Sequence, residues 1–512
     1  MSTKIPQKFL NIIFIVIIVI ISLGVVPKTF QNDTFFNISI GKYILKNGID
    51  MQEHFSWISG LTYTYSHWAF DILVYLIYSK FGFNGLYCFV FLFTILTNLT
   101  LYTLLKKRSN NPLISAIITI ITAVVLTKFY TVRSQIISFL CFIIEIYCIE
   151  EFIETNKKRY AITIILLGII IANFHAATWP LTLILFMPYL ASNFIKNFEK
   201  KLNENNEPYK ISFRDNYNIK NLTILFLFTA LTGLLTPIHN VPYTYIIKSM
   251  FGPSNFDKAG VRSIDFIAEM KPLISITNTS YIIFLIIFIS FLLFLPTKLK
   301  LEHGFLVLGL IVMTLSSSRY VALLIFLGSY VLVDLINQCY NLYLKSETDK
   351  INNYILHPYI VILLMVSSIS FALTSQISLS LDKFFPEDFY PINATKYIKE
   401  NLDYKNIRLY NGYEVGSYLM FNGIPVFIDS RLDVYCSEFN DTDVFKDYIY
   451  ISTNSDYYED IFSKYDFTHV LLSKEDSVYK NLLHDSNYVV LYEDEYFILF
   501  QRNIATFNYG GI

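Results

Sequence analysis

Long apolar runs alternate with short loops over the first three-quarters of this chain, and lysine and arginine concentrate in every second loop. The basic clusters lie at 106–108, 157–159, 196–220, 298–300 and 345–350. Basic loops resist translocation and therefore stay on the cytoplasmic side of a membrane. The pattern predicts a multi-pass membrane protein whose basic loops face the cytoplasm and whose intervening loops face the outside.

The apolar runs are long enough to cross a bilayer as helices. The predicted spans are 10–27, 84–105, 112–129, 134–153, 160–174, 178–194, 221–238, 280–296, 302–318, 319–338 and 355–375. The segment 68–81 is shorter and carries Asp71, and counting it as a span would invert the side of every later basic loop. We therefore interpret it as an interfacial or re-entrant helix. About eleven spans remain, with the N-terminus in the cytoplasm and the C-terminus outside the plasma membrane.

Three segments are predicted to lie outside: the loops 28–83 and 239–279, and the C-terminal region 382–512. The C-terminal region alternates short helices with short strands, which is typical of a small α/β domain. Its predicted helices are 392–401, 414–421, 443–449 and 456–465, and its predicted strands are 407–410, 425–428, 469–472, 488–492 and 496–501. The predicted fold is a membrane all-α domain over residues 1–381, followed by an extracytoplasmic α/β domain.

The overall charge does not indicate a nucleic-acid partner, and the cysteines do not indicate a zinc site. Lys and Arg total 40 and Asp and Glu total 41, so charge gives no case for nucleic-acid binding. Four of the five cysteines lie in or beside apolar runs, and no Cys and His spacing is typical of zinc. Because 54% of the residues are hydrophobic, membrane lipid is the expected partner.

The first external loop carries the densest polar group near the membrane. Its members are Asp33, Glu53, His54, His67 and Asp71. An acid just beyond the first helix could deprotonate an acceptor hydroxyl, or hold a divalent cation beside a lipid-linked phosphate. Alternatively, Asp33 caps a helix that begins at Phe35. Asp71 has apolar neighbours, where an acid is costly unless it faces a cavity or a partner.

Three more candidates stand at predicted helix boundaries on the same outer surface: Arg133, His175 and Arg319. Arginine grips phosphate bidentately, which suits a phosphate-linked substrate. The alternative is that the arginines extend to the lipid headgroups. Glu269 adds an acid in the second external loop.

In the C-terminal domain, Glu414 follows one predicted strand, and Asp429 and Arg431 follow the next. Open α/β sheets place their ligand sites at the carboxyl ends of strands, so these side chains could converge on an acceptor. Equally, Asp429 and Arg431 could form a structural ion pair, and Glu414 could cap a helix.

Taken in order, these residues resemble a family of uncharacterised bacterial multi-span membrane proteins related to GT-C glycosyltransferases. In the first loop the likeness is carried by Asp33, Gly41, Gly48, Phe55-Ser56, His67-Trp68 and Gly82. It continues through Arg133-Ser134-Gln135, Asn173-Phe174-His175, Glu269 and Arg319, and closes with Gly412–Tyr418 and Val426–Tyr435. The plan also resembles the catalytic subunit of oligosaccharyltransferase.

The resemblance implies a GT-C-like helix bundle, a catalytic acid in the first outer loop, and a sugar donor linked to polyprenyl phosphate. It makes Asp33 the candidate base or metal ligand, and it gives Glu414 and Asp429 a role in acceptor binding. The chain departs from the family where Ala69-Phe70 replaces Glu-Trp, although Asp71 supplies an acid nearby. The first loop also lacks an Asp-x-Asp metal motif, so the metal is left open.

Three functions are compatible with these features. The first is a transferase of the cell envelope that moves a sugar from a polyprenyl-phosphate carrier to an extracytoplasmic acceptor, with Asp33 and Asp71 as catalytic acids. Its predicted substrate- or phosphate-binding residues are His67, Arg133, His175, Arg319 and Glu269. The second is a non-catalytic GT-C-derived scaffold that binds a lipid-linked glycan. A secondary transporter is least favoured, because charges within the spans are scarce and no repeat is visible.

Overall fold

The computed structural model describes residues 7–202, 211–212, 218–251, 271, 279–355, 357–381, 384–442 and 444–503. The chain divides into two compact units. The first comprises Met1–Pro27, Tyr87–Tyr243 and Ala268–Leu381, and the second comprises Lys28–Leu86, Thr244–Ile267 and Asp382–Ile512. The predicted first external loop therefore clusters with the C-terminal region.

The first unit is helical. Its helices are α1 (Gln7–Gly24), the later part of α3 (Trp68–Ser109), α4 (Pro112–Val125), α5 (Gln135–Thr155), α6 (Lys158–Phe174), α7 (Pro180–Ile184), α8 (Met187–Leu202), α9 (Ile219–Leu231), α11 (Thr279–Phe294), α12 (Leu301–Ser316), α13 (Val321–Tyr343), α14 (Thr348–Ile355) and α15 (Pro358–Leu381). The short strands β1 (Ile211–Ser212) and β2 (Leu299–Lys300) form a parallel pair, and β2 leads directly into α12. Helix α10 (Val241–Phe251) continues into the second unit.

Among the described residues, four helical stretches are long and apolar enough to cross a membrane by length and composition: Trp68–Ser109, Ala176–Ile195, Ser318–Tyr343 and Pro358–Gln376. Five further apolar helices have 10–17 residues. The count of about eleven spans remains a prediction.

Helix α3 is interrupted at Gly82, where φ is 62° and ψ is −157°. Side chains other than glycine rarely adopt this backbone conformation, so the glycine allows a sharp break. The break separates Trp68–Phe81 from the apolar segment that follows, as the sequence predicted. The assignment of the first piece as interfacial or re-entrant is a prediction.

The helices of the first unit pack through both apolar and polar contacts. α5 lies against α13, where the ring centroids of Phe139 and Phe326 are 5.4 Å apart. Buried Asn98 on α3 donates to Ser22 Oγ on α1 at 2.9 Å and accepts from Tyr130 at 3.0 Å. Asn98 thus has a partner for both its amide nitrogen and its amide oxygen, and the two bonds help to fix the position of α3 against α1.

The second unit contains a four-stranded sheet in the order β3 (Leu409–Asn411), β4 (His469–Ser473), β6 (Phe497–Arg502), β5 (Tyr488–Glu493). β3 and β4 are parallel, and the other pairs are antiparallel. Its helices are α2 (Asn32–Asn47), the start of α3, α16 (Ile392–Asn401), α17 (Tyr413–Phe421), α18 (Leu432–Tyr435), α19 (Val444–Thr453), α20 (Tyr458–Tyr465) and α21 (Tyr479–His484). The small α/β arrangement predicted for the C-terminal region is confirmed.

The structure does not confirm the predicted strand 425–428. Residues 425–428 form no ladder strand, and Val426 instead makes a single parallel bridge to Ser56 in the first loop. The neighbouring Trp57 donates its indole N–H to the carbonyl of Leu409 at 3.0 Å and stacks on Phe427. The short apolar run is thus stabilised by a segment from the far end of the chain, which periodicity alone does not reveal.

Two glycines allow very close approaches in the second unit. A Cβ on Gly41 of α2 would lie 2.0 Å from the Asp71 carbonyl oxygen, and a Cβ on Gly416 of α17 would lie 2.0 Å from that of Ile428. α2 also packs against α17. The first-loop helix is therefore part of the core formed by the C-terminal region.

Candidate functional site

Asp33 lies in the first turn of α2, which begins at Asn32 with Gln31 in the capping position. The alternative that Asp33 caps a helix beginning at Phe35 is therefore wrong. Its side chain is half-buried. A carboxylate in the first turn interacts favourably with the positive end of the helix dipole.

His67 and Asp71 form the next part of the site, on and just before the first turn of α3. Asp71 Oδ2 is 3.6 Å from His67 Nδ1, which is close enough for an ion pair but long for a hydrogen bond. Asp71 is fully buried, and neither of its carboxylate oxygens accepts a hydrogen bond from the described residues. The ring of Phe36, one turn after Asp33, lies 5.8 Å from the imidazole.

Asp433, on α18, completes the cluster. It is buried and accepts a hydrogen bond from the Thr64 hydroxyl, and burial raises the pKa of its carboxyl. Burial would lower the pKa of His67, but the Asp71 carboxylate raises it, with further contributions from Asp433 and Asp33. The charges of all three acids therefore favour the imidazolium form of His67. Sequence reasoning missed Asp433, although it lies in the quoted segment Val426–Tyr435.

Several polar atoms around this cluster are buried and make no hydrogen bond to the described residues. They are Asn32 Oδ1, Thr34 Oγ1, Tyr63 Oη, Trp68 Nε1 and both carboxylate oxygens of Asp71. Buried polar atoms in folded proteins are nearly always partnered, so such a set is unusual for a purely structural core. Donors and acceptors of this kind suit a ligand rich in hydroxyl groups.

The predicted pair Asp429 and Arg431 is buried in an ion-pair network with Glu53. Arg431 donates to Glu53 at 2.6 and 2.9 Å and to Asp429 at 2.9 and 2.6 Å. The guanidinium also lies 5.4 Å from the Phe55 ring centroid and 5.0 Å from that of Tyr63. Burial would lower the pKa of Arg431, but the two carboxylates raise it. These contacts connect the first loop to the C-terminal segment.

Glu414 does not join that network. Its exposed side chain lies in the first turn of α17, and its carbonyl accepts a hydrogen bond from the Asn32 amide. Both Asp33 and Glu414 contribute to raising the pKa of Tyr390, after the larger effect of burial. Glu414 is therefore on the Asp33 side of the second unit.

Arg133, His175 and Arg319 belong to the first unit. His175 Nδ1 is 2.8 Å from the hydroxyl of Ser138 on α5, a helix that begins just after Arg133. Arg319 lies in the short turn Ser318–Tyr320 that leads into α13, and α13 packs against α5 near the start of both helices. The three residues thus lie at one end of the α5 and α13 pair.

The implied divalent cation finds no complete ligand set in the described part of the chain. Within those ranges, no three His, Cys, Asp or Glu side chains are grouped so that they could hold a metal ion. The predicted Glu269 lies outside the described residues. The described donors alone therefore do not make up a metal site.

Comparison with known proteins finds similarity in structure only. No protein-family model matches the chain, and no curated protein does. The apo crystal structure of the Archaeoglobus fulgidus oligosaccharyltransferase aligns with a TM-score of 0.59 at 11% identity, over 92% of this chain and 70% of that one. The same enzyme tethered through a disulfide to an acceptor peptide containing the NVT sequon gives 0.55 at 12% identity, with the same coverage. The chain therefore has the fold of this GT-C-type enzyme.

Proposed function

We propose that the protein is an integral membrane glycosyltransferase that transfers a sugar from a polyprenyl-phosphate-linked donor to an extracytoplasmic acceptor. The proposal rests chiefly on one observation. A half-buried acid, Asp33, lies within electrostatic range of a buried group formed by His67, Asp71 and Asp433, in a fold shared with oligosaccharyltransferase. Buried ionisable clusters are costly and concentrate at functional sites.

In the proposed reaction, an acceptor hydroxyl attacks the anomeric carbon of the donor sugar while the bond from that carbon to the phosphate oxygen breaks. Asp33 accepts the hydroxyl proton, and the phosphate leaves with the bonding electron pair and inversion at the sugar. Asp71 and Asp433 hold His67 as an imidazolium, which offsets the negative charge beside Asp33. The groups proposed to neutralise the leaving phosphate are Arg133, His175 and Arg319.

The proposed topology follows the basic loops. It has about eleven spans in the plasma membrane, a cytoplasmic N-terminus, and the first loop and C-terminal region outside. The clustering of these two segments in one compact unit is consistent with a shared side, because an open sheet with irregular loops does not lie within the hydrocarbon of a bilayer.

A second candidate is a non-catalytic protein that binds a lipid-linked glycan. It is favoured by the network around Arg431, because two of the three predicted acceptor-binding side chains are enclosed in ion pairs there. This candidate predicts binding of the carrier without turnover.

The test is Asp33→Asn in cells, with surface-glycan profiling as the readout. Asp388→Asn, an exposed acid in the same unit, is the matched control. We expect the first variant to lose the product glycan at normal protein level and the control to keep it. An unchanged profile for Asp33→Asn at normal protein level would remove Asp33 from the mechanism.

A further inference from the structure

A buried polar network occupies one end of the first unit. Arg108 donates from Nε to Asp334 at 2.9 Å and from Nη1 to Glu150 at 3.2 Å, and His303 Nε2 lies 2.9 Å from Glu150. The side chains of Glu150 and His303 are 3% and 2% exposed. Tyr189 also donates to Glu150, at 2.8 Å. Ionisable groups inside an apolar helix bundle are costly, and such a cluster is a candidate functional site.

A cavity of about 260 Å³ adjoins this network. Its polar lining consists of Ser212, Lys298, Lys300, His303, Asp334 and Gln338. The Gln338 amide accepts from the Lys298 backbone N–H at 2.7 Å and donates to its carbonyl at 3.0 Å. These two bonds fix the short link between α11 and α12, so the position of the basic wall is determined by the fold.

The charges around the cavity favour an anion. Asp334, the acid in the cavity lining, is paired with Arg108, and the buried acids Glu150 and Glu302 do not line the cavity. Lys298 and Lys300 add two positive charges.

The start of α12, a helix of 16 residues, contributes backbone N–H groups, and its first turn also holds the buried acid Glu302. Its capping residue is Lys300, whose side chain has no acceptor for the first backbone N–H groups. Helix N-termini and lysine ammonium groups both bind phosphate.

The position and size of the cavity narrow the class of anion. Lys298 and Lys300 lie in the link between the end of apolar α11 at Phe294 and the start of α12 at Leu301. The ends of membrane-spanning helices lie at the level of the lipid headgroups. The volume of the cavity is slightly below the range of about 300–1,000 Å³ usual for sites that enclose drug-sized molecules. A phosphate with a small attached group fits that description better than a whole nucleotide.

We propose that this cavity binds the phosphate of an anionic lipid headgroup, held by Lys298 and Lys300 above the buried network. This site lies in the first unit, and its occupancy does not depend on the transfer reaction proposed above. Binding there would stabilise the helix ends that meet at His303 and Asp334.

The test uses the full chain in nanodiscs of phosphatidylcholine, with and without phosphatidylglycerol, and native mass spectrometry to count retained lipid. The variant is Lys298→Gln with Lys300→Gln. The matched control is Lys345→Gln with Lys350→Gln, which removes the same charge from exposed positions outside the cavity. A parallel arm adds millimolar inorganic phosphate to protein in zwitterionic lipid and measures thermal stability.

We expect the cavity variant to lose phosphatidylglycerol affinity by about 25-fold, since each of the two lysines near an anionic headgroup contributes roughly a factor of five. The control should lose little. Stabilisation by inorganic phosphate that depends on the same two lysines, without lipid retention, would assign the site to a soluble phosphate instead. Equal losses in both variants, or none in either, would overturn the proposal. If the double variant misfolds, Lys298→Gln alone, with an exposed side chain, replaces it.

Discussion

The most direct structural prediction concerns Arg431, which joins the first loop to the C-terminal region. Its side chain and those of Glu53 and Asp429 are each at most 1% exposed. Arg431→Met keeps much of the side-chain volume but leaves two carboxylates buried without a counter-charge. Removing one partner of a buried ion pair costs about 3–5 kcal/mol, and we expect the upper part of that range because two acids lose their partner.

The control is Arg408→Met. Arg408 makes an ion pair with Asp466 at 3.3 Å, but both side chains are more than half exposed, at 52% and 63%. Such exposed pairs contribute about 0–1 kcal/mol, so the free energy of unfolding of this variant should be close to that of the parent chain. The loss of stability in Arg431→Lys should lie between those of Arg431→Met and Arg408→Met, because lysine keeps the positive charge but cannot donate hydrogen bonds to two carboxylates as the planar guanidinium does.

The assay is urea unfolding of the full chain in detergent, followed by tryptophan emission. Of the three tryptophans, Trp57 and Trp68 lie in the second unit, so the signal reports mainly on that unit. Arg431→Met should shift the transition midpoint strongly to lower urea, and Arg408→Met should not. Equal midpoints for the two variants would refute the claim that this network holds the second unit together.

Three further predictions concern the second unit. Gly416→Ala should destabilise it by about 1–3 kcal/mol in the same assay, because the new methyl group would overlap a backbone carbonyl. Gly412→Ala is the control: its methyl group would lie no closer than 4.0 Å to any neighbouring atom, so the loss of stability should be small. The folded-state pKa of His67 lies above its ordinary 6.5, so its protonation stabilises the fold below pH 6.5 and this contribution disappears as pH rises through the raised pKa. His67→Gln should flatten that slope of midpoint against pH, and an unchanged slope would contradict the assignment. In a cysteine-free background, Gly60→Cys and Tyr450→Cys should react with an impermeant thiol reagent from the same side, and opposite sides would contradict the topology.

Local sequence patterns predicted a substantial part of the fold. Residues 392–401 were predicted as a helix, and Ile392–Asn401 is one. The break near Gly82 and the hairpin of β5 and β6 also follow local signals, namely a glycine between apolar runs and an acidic turn between alternating strands. The helix Tyr479–His484 was missed, because it is too short for a clear period.

The site was predicted less completely, for a physical reason. The apolar neighbours of Asp71 signalled a buried acid, and its complete burial agrees with that signal. The partner of Arg431 could not be found in this way, because Glu53 is 378 positions away and a single sequence carries no record of which charges meet. Asp433 follows Asp429 and Arg431 at a spacing of two residues, but only the folded structure reveals its place beside His67.

The measurement that tests the central claim most directly is sugar transfer by the purified full chain in sealed vesicles. The vesicles would contain a polyprenyl-phosphate-linked sugar with a labelled sugar group, and the readout would be labelled acceptor formed over time. We predict product with the parent chain and with Asp388→Asn, and none with Asp33→Asn at equal protein incorporation and carrier binding. Carrier binding without product in the parent chain, or undiminished product with Asp33→Asn, would contradict the proposed reaction.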